Sequence, residues 1–157
     1  MQERRKAVRP QSGPSLRVRI PPNPRYGKSV REELITFAND HAVSRGELTD
    51  LIFAIGEALA NAIEHSGSND VIEVRCQIDD DKIIATVIDS GRGFEVEAVP
   101  KAPLPPLFAE RGRGLPIMQK CTDLFAVRSL PGKGTAVVLG RYLRTKPGFI
   151  DDTAVSA

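Results

Sequence analysis

The sequence contains no tryptophan and only two cysteines, and aromatic residues make up just 5% of it. Cys76 and Cys121 stand in no metal-ligand spacing and are too few for a disulfide scaffold, so a cytoplasmic protein with reduced thiols is expected. No apolar run approaches the ~20 residues that span a bilayer, which argues against a membrane protein. The basic start, MQERRKAVRPQSGPS, lacks the apolar core of a secretory signal. Repeats are absent too, and 157 residues fill one core but not two.

Charge is present but unevenly placed. Residues 1–31 hold nine Arg or Lys against Glu3 alone, a net +8, while the rest carries 13 basic and 19 acidic residues, a net −6. A basic arm suits nucleic acid or an acidic protein face. No aromatic residue interrupts residues 1–25 to stack on bases, and the body is acidic, so the arm reads as a solvated leader without direct nucleic-acid contact.

Periodicity then orders the elements. LRVRI (16–20) alternates as a strand does, and PPNP stops it. Over 29–43, Val30, Leu34, Phe37, Ala38 and Ala42 share a helical face, with Ser29 as the expected N-cap and Glu32 completing a capping box. Gly46 is expected to break the chain before a second helix at 47–65. Its core stripe is Leu48, Leu51, Ile52, Ile55, Leu59, Ala62 and Ile63. Two strands, 71–78 and 82–89, join through an acidic turn. A Gly- and Pro-rich stretch leads to a helix at 114–121 and strands near 124–129 and 134–143. The order predicts an α+β fold: a two-layer sandwich of a mixed, mostly antiparallel sheet covered on one face by helices. The expected divisions are a basic leader (1–14), one folded domain (15–145) and a tail (146–157).

The second helix poses a question. Glu57, Asn61 and His65 recur every fourth residue, on a face about 60–100° from the apolar stripe. Polar groups there are costly unless solvated or paired. They form either a wet stripe or one wall of a ligand site. An Asn amide oxygen suits a hard cation such as Mg²⁺, and a Glu one turn earlier can orient or deprotonate a hydroxyl attacking phosphate. His65 closes such a site or favours the helix end. Three glycine segments follow. DSGRGF (89–94) ends a strand, with Asp89 able to accept from an exocyclic amine. ERGRGLPIM (110–118) opens a helix between Arg111 and Arg113. PGKGT (131–135) precedes a strand and offers Thr135. Singly, each is also an ordinary turn.

In this order, Glu-x-x-x-Asn, D-x-G-x-G, G-x-G-L and G-x-G-T resemble the N, G1, G2 and G3 boxes of the GHKL ATPase superfamily, which has the Bergerat (histidine-kinase-type) fold. Within it the chain is most similar to the anti-sigma-factor serine kinases of the RsbW/SpoIIAB type, in EALANAIEHSG and RGRGLPIMQKCTD above all. The resemblance covers residues 15–143 and implies ATP and Mg²⁺. It implies that Asn61 binds the metal, Glu57 acts on the substrate hydroxyl, and Asp89 reads the adenine amine with help from Thr135. Gly91 and Gly93 shape the pocket beside the base. Arg111, Gly112, Arg113, Gly114 and Leu115 hold the phosphates at the end of a lid spanning 95–113. The implied activity is phosphorylation of a serine or threonine on a STAS-domain antagonist, by a homodimer that sequesters an RNA polymerase sigma factor. Two other readings fit the same boxes: a nucleotide-binding regulatory module without catalysis, and a stand-alone histidine-kinase-like ATPase domain.

Overall fold

The computed structural model describes residues 13–65, 70–90, 114–130 and 133–143. The chain begins with strand β1 (Ser15–Ile20), a single 3-10 turn (Pro24–Tyr26) and two helices, α1 (Gly27–Asp40) and α2 (Arg45–His65). The hairpin of β2 (Ile72–Asp79) and β3 (Lys82–Asp89) follows. Then come the short α3 (Gly114–Lys120), β4 (Leu124–Leu130) and β5 (Gly134–Tyr142). The five strands form one sheet in the order β1-β2-β3-β5-β4. Every described pairing is antiparallel, so the sheet is not mixed as the sequence suggested.

Strand alternation explains why one face is dry. Val18, Val74, Val87, Val137 and Val127 stand in register across all five strands, a ladder of β-branched side chains. The next row, Leu16, Cys76, Ala85, Leu139 and Phe125, follows the same face. Against these rows α2 lays Leu51, Ala54, Ile55, Ala58 and Leu59, all in the core. Burying Leu51, with no residual exposure, stabilises by about 2 kcal/mol. Burial also pushes the Cys76 thiol up to about 12, which leaves it protonated and inert.

Both helices start where local hydrogen bonding dictates, and not where the sequence reading put them. α1 opens at Gly27. Ser29 donates its hydroxyl to the Tyr26 carbonyl at 2.8 Å instead of capping, and Glu32 pairs with Lys28 at 3.8 Å. The capping box belongs to α2. Ser44 accepts from the Glu47 backbone N–H at 3.4 Å and donates to the Glu47 carboxylate at 2.8 Å, which places Gly46 inside the helix. Ala42, expected on the buried face of α1, is exposed and takes φ 58° in the turn between the helices. Val71 is likewise exposed and precedes β2.

Ile52 and Ile63, assigned to the core stripe, are half-buried. They line a cleft of about 450 Å³ between α1 and α2, with Val30, Leu34 and Leu59. At 100° per residue this cleft lies on the opposite side of α2 from Glu57 and Asn61.

On the sheet face away from the helices, Glu73 is buried beneath three arginines. Arg19 donates to it at 2.9 Å, Arg75 donates to its other oxygen, and Arg17 lies 3.6 Å away. Burial by itself raises the Glu73 carboxyl pKa; the hydrogen bonds and charges of the arginines outweigh that and hold it below its ordinary 4.5. A lowered folded value means the group stabilises the fold above its unfolded pKa and loses that contribution as pH falls through the folded value. Below about pH 5 the urea midpoint of the wild type is therefore expected to drop more steeply than that of Glu73→Gln. Parallel slopes for the two proteins would remove the linkage.

Candidate functional site

Two contacts set the direction of α2 over the sheet. Near its start, Asp50 lies 3.5 Å from Arg141, at the C-terminal end of β5; Arg141 also approaches Asp123 at 3.7 Å. Just beyond its end, Asp70 accepts from Ser90, the residue after β3, at 3.0 Å. α2 packs along β3 and β5. It therefore runs antiparallel to β5, and its last turns lie toward the end of the sheet where β3 stops and β5 begins.

That end of the sheet is polar. Asp89, Thr135 and Ser129 are direct cross-strand neighbours on β3, β5 and β4. They extend the helix-side face, two residues beyond the valine ladder. Ser129 and Thr135 share a hydrogen bond of 2.8 Å, and Ser129 also donates to the Gly134 carbonyl at 3.3 Å. Gly134 is the tightest point. It takes φ +90°, and a Cβ added there would stand 2.1 Å from the Asp89 carbonyl oxygen. Only glycine lets β5 begin so close to the backbone of Asp89.

On α2, Glu57 and Asn61 are both half-buried, one turn apart. Among the described residues neither side chain finds a hydrogen-bond or ion-pair partner. His65, the third member of the expected face, is exposed and lies 3.6 Å from Glu64; it is not drawn to Asn61. The neighbouring Ala54 and Ala58 are core residues, so they do not flank a ligand as open space. α3 packs against α2 and sends Met118 into the core, which places Gly114 and Leu115 at the start of a helix beside the Glu57–Asn61 helix.

The structure thus directs the last turns of α2, with Asn61, toward the end of the sheet that carries Asp89 and Thr135; Glu57 stands one turn earlier, and the helix that begins at Gly114 and Leu115 packs against α2. Gly91, Gly93, Arg111, Gly112 and Arg113, with the lid at 95–113, lie outside the described residues. Sequence reasoning missed Ser129. Its signal was a buried hydroxyl interrupting the apolar alternation of LFAVRSL, visible only once β4 is registered against Thr135.

The donor set suits a purine nucleotide with its cation. Asp89 could accept from an exocyclic amine, the Ser129–Thr135 hydroxyl pair could donate to or accept from ring nitrogens or a bridging water, and Asn61 could offer one neutral oxygen to a hard cation. Among the described residues no cluster of three or more His, Cys, Asp or Glu could hold a metal by itself.

Comparison with known proteins identifies the family and the fold. The family profile of the histidine kinase-like ATPase domain matches residues 20–141. The chain is 40% identical to the anti-sigma F factor of Caldanaerobacter subterraneus over 105 residues, covering 62% of this chain and 71% of that protein. It is 31% identical to the anti-sigma F factor of Clostridium acetobutylicum over 118 residues, 70% of this chain and 80% of that one. Among solved structures, the RsbU and RsbW domains of a Mycobacterium tuberculosis protein superpose with a TM-score of 0.65 at 23% identity, over 88% of this chain and 34% of theirs. The histidine kinase domain of a blue-light activated kinase from Erythrobacter litoralis gives 0.51 at 19%, over 79% and 62%. These two show the shared fold. Taken with the profile and the anti-sigma relatives, the ordered boxes and the polar end of the sheet mean that the chain belongs to the histidine kinase-like (GHKL) ATPase family, in its anti-sigma-factor kinase branch.

Proposed function

We propose that the chain is an ATP-dependent serine/threonine protein kinase and an anti-sigma factor. It phosphorylates a STAS-domain antagonist and, as a cytoplasmic homodimer, holds an RNA polymerase sigma factor until the unphosphorylated antagonist competes for it. The single observation that carries the catalytic half is the pair Glu57–Asn61. These two half-buried polar side chains have no partner among the described residues, and they lie in the C-terminal half of α2, the half that runs toward the end of the sheet carrying Asp89 and Thr135. The anti-sigma half rests on relatives named anti-sigma F factors. The kinase domain spans about residues 15–145, and no described helix is long and apolar enough to cross a membrane.

Each residue then has a task. Asp89 accepts from the adenine amine, with Thr135 and Ser129 completing the polar edge. Asn61 offers its amide oxygen to Mg²⁺, which when bound neutralises phosphate charge. Gly91 and Gly93 shape the wall beside the base, and Arg111, Gly112, Arg113, Gly114 and Leu115 hold the phosphates. Glu57 accepts the proton of the attacking hydroxyl as its oxygen bonds to the γ-phosphorus and the bond to the departing ADP breaks. Switching between sigma factor and antagonist is a difference of binding free energies, biased by which nucleotide fills the site.

Asn61→Ala tests the nucleotide site. The variant is expected to lose about 100-fold in affinity for Mg-ATP, and about twofold or less for ADP measured without metal, by calorimetry on both ligands. Equal losses would make Asn61 structural and remove the metal from this reading. Nucleotide binding with no transfer to any cognate STAS protein would leave a non-catalytic regulatory module in its place.

A further inference from the structure

The helices cover one face of the sheet, and the other is open among the described residues. Its centre is aliphatic: Ile84, Thr86 and Ile88 on β3, with Ala136 and Val138 on β5 directly opposite. Leu124 of β4 lies over Gly140, close enough that a Cβ there would stand 3.0 Å from it. Apart from Gly140 none of these is fully buried, and Tyr142 at the margin is 50% exposed. Beside this patch sits the cluster of Arg17, Arg19 and Arg75 around Glu73. Their side chains are 61%, 68% and 53% exposed, so three guanidinium groups outnumber the one carboxylate they share. Apolar surface bordered by a cationic cluster is the signature of a docking face and not of a solvated one.

Charge decides the occupant. A second copy packed face to face about a two-fold axis along the strands sets β1 over β4 and β2 over β5, and brings Arg19 toward Arg128, which lies in its row. With the axis across the strands, the cluster meets its own image. Both arrangements oppose cation to cation. Single-stranded nucleic acid fits poorly, because the centre offers aliphatic side chains and no aromatic platform.

We propose that this outer face binds an acidic protein segment that carries aliphatic side chains, its carboxylates held by Arg17, Arg19 and Arg75 and its apolar side chains laid over Ile84, Ile88 and Val138. Arginine pairs carboxylates through two parallel donors, so the cluster fixes register while the patch excludes water. The surface lies across the sheet from Glu57 and Asn61, so this inference and the nucleotide reading stand or fall separately.

The test uses ¹⁵N-labelled full-length chain and two short capped peptides of equal length, one alternating Ile with Glu and one alternating Ile with Lys. The acidic peptide is expected to shift the backbone amides of Arg17, Arg75, Thr86 and Val138. Its affinity should fall about tenfold in the Arg17→Gln/Arg19→Gln double variant, which keeps Arg75 on Glu73. Ile84→Ser, which removes apolar surface from the patch without changing charge, should weaken it comparably, and Mg-ATP affinity should be unchanged in both variants. Four results overturn the proposal. The acidic peptide shifts none of those amides; the Lys peptide binds equally well; DNA or phosphatidylglycerol vesicles displace the acidic peptide from the same amides; or those amides shift with protein concentration alone, which marks a face between copies.

Discussion

Replacing Glu57 by Gln lowers the rate of phosphate transfer to a STAS-domain protein by about 10²–10⁴-fold and leaves Mg-ATP affinity within about twofold. That is the expected result if Glu57 takes the proton of the attacking hydroxyl. Gln has the same shape and can still accept a hydrogen bond through its amide oxygen, but it cannot hold the proton. Glu57 is half-buried on α2, one turn before Asn61 and without a partner among the described residues, so the exchange breaks no described contact that a structural role would need. Single-turnover transfer from labelled ATP separates the two quantities, since binding and chemistry are read in one experiment. A variant as fast as the wild type removes the proton-accepting role. A variant that instead loses nucleotide affinity makes Glu57 part of the binding surface.

The second large effect concerns folding and binding together. Gly134→Ala is expected to cost about 3 kcal/mol, a fall of roughly 6–12 °C in Tm for a chain of this size. Alanine resists φ +90°, and its Cβ would overlap the backbone of Asp89 and Ser90, neither of which is a side chain able to swing aside. Relief requires the start of β5 to withdraw from the end of β3, which separates Thr135 from Asp89. Nucleotide affinity should therefore fall even at temperatures where the variant is folded. Gly56→Ala is the matched control. Gly56 is an exposed helical position with nothing within 4 Å of an added Cβ, so the same substitution should stabilise by up to about 1 kcal/mol. Two glycine variants with the same sign and size would show that backbone freedom alone, and not close approach, governs Gly134.

How much of this was legible in the sequence depended on whether the governing contact was local. The stripe of α2 and the alternation of β2, β3 and β5 were readable because burial imposes its period on the residues themselves. Helix starts were misread where two candidate caps compete. Ser29 and Glu32 have the capping-box spacing, yet the chain is already helical from Gly27, and Ser44 with Glu47 forms the real box. Glu57, Asn61, Asp89 and Thr135 were found through motif order, which carries no geometry. The direction of α2 relative to Asp89 and Thr135 shows only in contacts such as Asp50–Arg141 and Asp70–Ser90, and neither pair is marked by spacing. Ser129 was invisible for the same reason, since it acts only through a strand pairing. Among the described strands no parallel pair occurs: a pair of helices between β1 and β2 returns the chain so that β2 runs against β1.

That insertion bears on how the protein comes together. The β2–β3 hairpin turns tightly at Asp80 and Asp81 and closes within its own neighbourhood, whereas Ile20 must meet Ile72 across the whole of α1 and α2. Closing so long a segment carries an entropic cost that local hairpins avoid, which sets edge-strand docking among the late steps. The proposed nucleotide site draws on α2, β3 and β5 at once, so no fragment that lacks one of them contains it. A nucleotide can reward the finished molecule by mass action, but it has nothing to grip in the chain still being assembled.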